Sequence, residues 1–104
     1  MIVTTKELVG RMKNPPTFDL EALTGISNRR WRSETDDSFT LAAHAAKKCL
    51  NKSCYNPNDL DAIIFCSITR FKDGMSYWLE PGMSVMLKKE LGLRESAVGF
   101  DITN

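Results

Sequence analysis

Two short runs of branched apolar residues, AIIFCSIT at 62–69 and AVGFDIT at 97–103, flank a proline-led amphipathic segment that stops at Gly92. Nothing else in the chain constrains its fold as strongly. A nearly continuous apolar run is the pattern of a strand covered on both faces. A connection of this length between two such strands has room for a helix, so the reading is a βαβ unit with parallel strands and a right-handed crossover. Pro81 is expected to open the connecting helix, Met83, Met86, Leu87 and Leu91 to form its buried face, and Gly92 to end it. Residues 70–80 read as a loop.

The remaining segments fit around that unit. Residues 37–51 place Phe39, Ala42, Ala43, Ala46, Cys49 and Leu50 at helical intervals, with His44, Lys47, Lys48 and Asn51 on the other face, which predicts an amphipathic helix lying on a sheet. Asn56-Pro57-Asn58-Asp59 predicts one capped turn. Near the start, Thr4 and Glu7 have capping-box spacing ahead of Leu8, Val9 and Met12, and Asn14-Pro15-Pro16 ends that helix. Residues 18–23 predict a further turn of helix closed by Gly25, where a left-handed conformation costs glycine little.

Composition removes several functions. The chain has 104 residues, 42% of them hydrophobic, and 14 basic against 13 acidic side chains. With no basic stripe, nucleic acid is a poor partner. No apolar run approaches the ~18 residues of a membrane span, and the Met1-Ile2-Val3 start lacks a signal-peptide pattern, so a cytoplasmic protein is expected. The three cysteines, Cys49, Cys54 and Cys66, lack paired metal-site spacing and His44 is the single histidine, so no metal site is expected. Cys49 on an apolar helix face and Cys66 in a strand read as small buried hydrophobes. His44, beside Lys47 and Lys48, reads as a solvated surface residue.

Taken in order, Thr24-Gly25-Ile26 with Arg30, the helix SFTLAAHAAKKCL, NPNDLDAIIFCSIT, Glu80-Pro81 leading to Leu91-Gly92, and Phe100-Asp101-Ile102-Thr103-Asn104 resemble β-ketoacyl-acyl carrier protein synthases of type III. The set covers most of the chain, although no single piece is specific. The resemblance implies an α/β fold class, the N-terminal half of a thiolase-like fold, with a mainly parallel sheet and covering helices. It implies that residues 1–104 are a partial domain lacking the first strand and everything from the nucleophilic cysteine onward. In that family an alanine and the cysteine follow such an Asp-Ile-Thr-Asn strand, and a thiolate there gains from a helix N-terminus. The family's catalytic histidine and asparagine lie in the second half. The implied activity is Claisen condensation of acyl thioesters, with acyl-CoA or acyl carrier protein as substrate carrier, no cofactor, and a homodimer when full length. By this reading the fragment is inactive alone. The alternative is a non-catalytic interaction module that pairs with a separate catalytic chain.

The resemblance also singles out residues. Glu80 stands where many such synthases carry an apolar residue that crosses the dimer interface. A glutamate there is similar to the branch that condenses two fatty acyl thioesters head to head, in which it acts as base in the partner subunit. Desolvation would raise its pKa and suit it to that task. The plainer reading is a hydrated carboxylate just before a helix, favoured by the dipole. Phe71, Met75, Tyr77, Trp78 and Leu79 are implied to lie at the dimer contact or acyl tunnel, with internal packing as the alternative. Asp19 and Leu23 occupy positions where synthases that start from small acyl-CoA carry the tryptophan and arginine that stack on adenine, so the usual CoA grip is missing. Arg29, Arg30 and Trp31 could meet a phosphate, although a structural role is the commoner one.

Overall fold

The computed structural model describes residues 1–77 and 81–103. Trp78, Leu79, Glu80 and Asn104 lie outside the described residues. The chain divides into two compact units, Met1–Thr35 and Asp36–Asn104.

In the first unit, strand β1 (Ile2–Thr4) runs into helix α1 (Thr5–Arg11). The junction is the expected capping box: Thr4 Oγ1 accepts from the Glu7 amide at 3.1 Å, and the Glu7 carboxylate accepts from the Thr4 amide at 2.8 Å. That backbone hydrogen bond from Thr4 is the main reason the Glu7 carboxyl titrates below its ordinary value. Helix α2 (Leu20–Thr24) starts at Asp19, whose Oδ1 accepts from the amides of Glu21 and Ala22, and it ends at Gly25 with φ of 68°. The turn expected at 18–23 is therefore present, starting two residues later and ending one later. Strand β2 (Asn28–Arg30) pairs antiparallel with β1, in the register Ile2 with Arg30, Val3 with Arg29 and Thr4 with Asn28. No periodicity in the sequence announced this pair.

The second unit holds the βαβ core. Helix α3 (Ser38–Lys52) is followed by a single 3₁₀ turn at Pro57–Asp59, and strand β3 (Ala62–Cys66) comes next. A hairpin of β4 (Phe71–Lys72) and β5 (Met75–Ser76) leads toward helix α4 (Met83–Leu91), and strand β6 (Val98–Ile102) lies parallel to β3. Phe39, Ala43, Phe65, Met83, Leu87, Leu91, Leu93 and Ala97 form the buried core, with Ala42, Ala46, Leu50, Ile63 and Tyr77 packed against it. Met83 is fully buried and Gly92, at φ of 70°, ends α4 as anticipated.

Four expectations need correction. Residues 70–80 are not wholly loop, because Asp73 and Gly74, both at positive φ, turn β4 back onto β5; an Asp-Gly pair favours this kind of turn. Helix α4 begins at Met83 with Gly82 as its N-cap, two residues after Pro81. Strand β3 is shorter than 62–69 and is covered on one face only: Phe65 is buried, whereas Ile64 is 58% exposed. Cys49 and Cys66 are both exposed, not buried. Cys66 shares the open face with Ile64 because strand residues alternate sides. Cys49 falls just outside the stripe of α3 that meets the core.

The start of α3 joins three elements. Asp37 Oδ1 accepts from the Thr40 amide at 2.8 Å, and its Oδ2 accepts from the amide of Asp73, in the hairpin turn, at 2.9 Å. Lys72 of the same hairpin sits 5.3 Å from the centre of the Phe39 ring. Partial burial pushes the Asp37 carboxyl upward, but the hydrogen bonds from the Thr40 and Asp73 backbones outweigh it, and the net effect is downward. A depressed carboxylate stabilises the fold above its unfolded pKa, and the contribution is lost as pH falls through the folded value. Asp37→Ala is thus expected to destabilise the chain by about 1–2 kcal/mol at pH 7. In urea titrations the gap between variant and parent should narrow below about pH 4; a gap independent of pH would remove the carboxylate from the account.

Candidate functional site

In open α/β sheets, ligands and reactive groups gather at the carboxyl ends of parallel strands. Here that edge is the end of β3 and β6. The ladder extends past the strands, since the Ser67 amide donates to the Ile102 carbonyl at 3.1 Å. Arg70, buried at 5% exposure, reaches from just beyond β3 to just beyond β6, where its Nη2 donates to Thr103 Oγ1. The Arg70 carbonyl accepts from the Tyr77 amide at 2.8 Å, which closes the base of the β4–β5 hairpin. Ser38 Oγ, at the start of α3, lies 3.2 Å from Thr69 Oγ1. The ends of both strands, the base of the hairpin and the first turn of α3 therefore meet at one edge.

The two faces of the parallel pair differ sharply. The partners Ile63 with Gly99 and Phe65 with Asp101 face the helices, whereas Ala62 with Val98, Ile64 with Phe100 and Cys66 with Ile102 face away. Val98, Ile64, Phe100 and Ile102 are each at least half exposed. Three cross-strand pairs of apolar side chains thus form an open sheet face. Such a surface is uncommon on a parallel sheet, which usually carries helices on both sides.

The residues singled out from sequence fall unevenly around this edge. Phe71 and Met75 of the hairpin are exposed, whereas Tyr77 is half-buried and packs on the core. Trp78, Leu79 and Glu80 are outside the described residues. His44 is exposed on α3. Arg29 is half-buried and donates from Nη2 to Thr5 Oγ1 at 3.2 Å, and Thr5 Oγ1 in turn bonds the Ile26 carbonyl. That is a structural use of the arginine, tying β2 to α1; Arg30 and Trp31 are exposed. Arg70 was not recognised from the sequence, because a lone arginine after an apolar strand carries no local signal of burial. Among the described residues, no three His, Cys, Asp or Glu side chains are grouped to hold a metal ion, and no helix is long and apolar enough to cross a membrane.

A βαβ core with two helices on one face, carried to its strand ends in this way, places the chain in the thiolase-like class. It superposes on crystalline 3-oxoacyl-(acyl carrier protein) synthase III from Xanthomonas oryzae with a TM-score of 0.76 and 25% identity, over 100% of this chain and 31% of that one. Within the class the chain is related to the β-ketoacyl-acyl carrier protein synthases III. The chloroplastic synthase III of Arabidopsis thaliana is 34% identical over 80 residues, 77% of this chain and 18% of that protein. An acyl-CoA:acyl-CoA alkyltransferase of Shewanella oneidensis is 26% identical over 110 residues, 100% of this chain and 30% of that protein. The chain therefore spans between about a sixth and a third of the relatives it matches. No protein-family profile matches it.

Proposed function

We propose that residues 1–104 are part of a synthase III-type acyltransferase that joins two acyl thioesters by Claisen condensation, in fatty-acid or related lipid or secondary metabolism. In this reading they are a partial N-terminal domain, without the first strand and without the segment that carries the nucleophilic cysteine. The observation that carries it is the parallel β3–β6 pair in a chain that superposes throughout on a synthase III, ending at an edge where Arg70, Thr103 and the hairpin base converge. The acyl group is held as a thioester on the cysteine that follows β6 in relatives of this kind. A base or a decarboxylation generates a carbanion beside the carbonyl of the second thioester. The carbanion attacks the first carbonyl carbon; a C–C bond forms, the C–S bond breaks, and the cysteine leaves as thiolate.

Glu80 is the base in the head-to-head variant of this reaction, acting in the partner subunit of a homodimer. The similarity to an acyl-CoA:acyl-CoA alkyltransferase supports that variant. Phe71, Met75, Tyr77, Trp78 and Leu79 line the dimer contact or acyl tunnel. The exposure of Phe71 and Met75 fits such a contact. The acyl donor is an acyl-CoA or an acyl-protein thioester, the reaction needs no cofactor, and the enzyme works in the cytoplasm. A second reading draws on the open sheet face: the chain is a non-catalytic module that pairs through that face with a separate chain bearing the nucleophile.

The test is turnover. The chain alone should release no CoA from acyl-CoA substrates and form no β-keto product. A polypeptide that continues through the rest of the fold should do both. Condensation by residues 1–104 alone, or no acyl loading by the continued polypeptide, would overturn the proposal. Activity recovered only by adding a second, separately encoded chain would favour the module.

A further inference from the structure

Helix α4 begins without a cap of its own. Its N-cap is Gly82, which has no side chain to meet the unpaired amides of the first turn, and such amides need an acceptor when buried. Strand β6 supplies one. Asp101 Oδ1 accepts from the Ser84 amide at 2.9 Å, seventeen residues away in sequence. Ser84 and Met83 are buried to 1% and 0% exposure, so water does not share this task. The other carboxylate oxygen, Oδ2, occupies the space that a Cβ on residue 82 would need, and a Cβ on residue 99 would stand 2.9 Å from Ser84 Oγ. A side chain at residue 82 would therefore displace the Asp101 carboxylate, and one at residue 99 would crowd Ser84. A carboxylate placed here also meets the positive end of the α4 dipole.

We propose that Asp101 is a positioning residue that locks the first turn of α4 to the carboxyl end of β6, with Gly82 as its obligatory counterpart. It touches no substrate and acts through Gly82 and Ser84. Two chain segments leave this lock: the one that enters α4 through Pro81, directly after Glu80 in sequence, and the one that continues beyond β6. The consequence for catalysis rests on the reading above, in which the first segment carries the base and the second leads to the nucleophile. Asp101 then fixes, within one subunit, both the segment that presents the base to the partner's site and the segment that leads to this subunit's own nucleophile, and a small misplacement of such groups is enough to lose much of a rate.

The test is a substitution cycle. Asp101→Ala should speed exchange of the Ser84 amide by about 5- to 30-fold, the usual loss on removing a cap. Asp101→Asn, which keeps an oxygen acceptor, should preserve protection. Gly82→Ala should lower the melting temperature by roughly 5–15 °C while Asp101 is present, and by far less in the Asp101→Ala background. An equal effect of Gly82→Ala in both backgrounds, or a Ser84 amide indifferent to Asp101→Ala, would overturn the lock. If Asp101→Ala does not fold, Gly82→Ala is compared in the Asp101→Ser background, whose shorter side chain frees the space beside residue 82. In the continued polypeptide, Asp101→Ala should slow condensation with acyl loading intact, and Asp101→Asn should restore it. Condensation unaffected by Asp101→Ala would reject the positioning role even with the lock present. Coupling between residues 82 and 101 in a polypeptide that never condenses would leave the lock standing and reject the condensing reading instead.

Discussion

Under the proposed condensation, Glu80→Gln in a polypeptide continued through the rest of the fold is expected to slow carbon–carbon bond formation by about 10²- to 10⁴-fold, the usual contribution of a positioned general base. Acyl transfer onto the nucleophile should be unchanged. Glutamine keeps the size and hydrogen-bonding shape of the side chain but cannot take a proton from the carbon beside the thioester carbonyl. A carboxylate in an acyl-lined, water-poor site is a stronger base than one in water, because desolvation disfavours its charged form. The two half-reactions separate in a single-turnover experiment with labelled acyl-CoA, in which protein-bound label reports loading and β-keto product reports condensation. Equal loss of both would make Glu80 a structural residue. Unchanged condensation would leave it the hydrated carboxylate that precedes a helix, with the base supplied elsewhere or replaced by decarboxylation.

Replacing Ile64 and Phe100 by threonine should have opposite effects in two settings. In the isolated chain these side chains are 58% and 55% exposed on the open face of the β3–β6 pair. Threonine keeps strand propensity there and removes apolar surface from water. Ile64→Thr with Phe100→Thr should therefore reduce binding of a hydrophobic dye and self-association without loss of helical signal. In a polypeptide whose other segments cover that face, the same pair of changes should cost about 1.5–3 kcal/mol per residue, the value of burying a large apolar side chain. Dye fluorescence and light scattering check the first arm; urea unfolding checks the second. A covered protein that tolerates both substitutions without loss would show that nothing packs on this face. An isolated chain whose dye binding is unaltered would show that its apolar surface lies elsewhere.

Local signals in the sequence were enough to place the helices and the parallel pair. The Thr4–Glu7 and Asp37–Thr40 caps form between residues three apart, and Gly25 and Gly92 end their helices by a conformation that glycine alone adopts cheaply. The branched runs at 62–66 and 98–102 carried their own strand preference, and the helix between them left parallel pairing as the economical connection. The order of these pieces also sufficed to find the relatives. Pairings between distant residues could not be read in this way. The β1–β2 register joins residues 2 and 30, and nothing near either position encodes the other. Which face of β3 is covered depends on where α3 and α4 settle, so the apolar run predicted cover on both sides, whereas the fold leaves Ile64 and Cys66 open. The grip of Asp101 on Gly82 and Ser84 needs a strand and a helix brought into contact before either residue has a role. Backbone preferences and caps act over a few residues and are written locally; burial, cross-strand register and the company of a half-buried carboxylate are set by the packing of whole elements, and only the tertiary structure decides them.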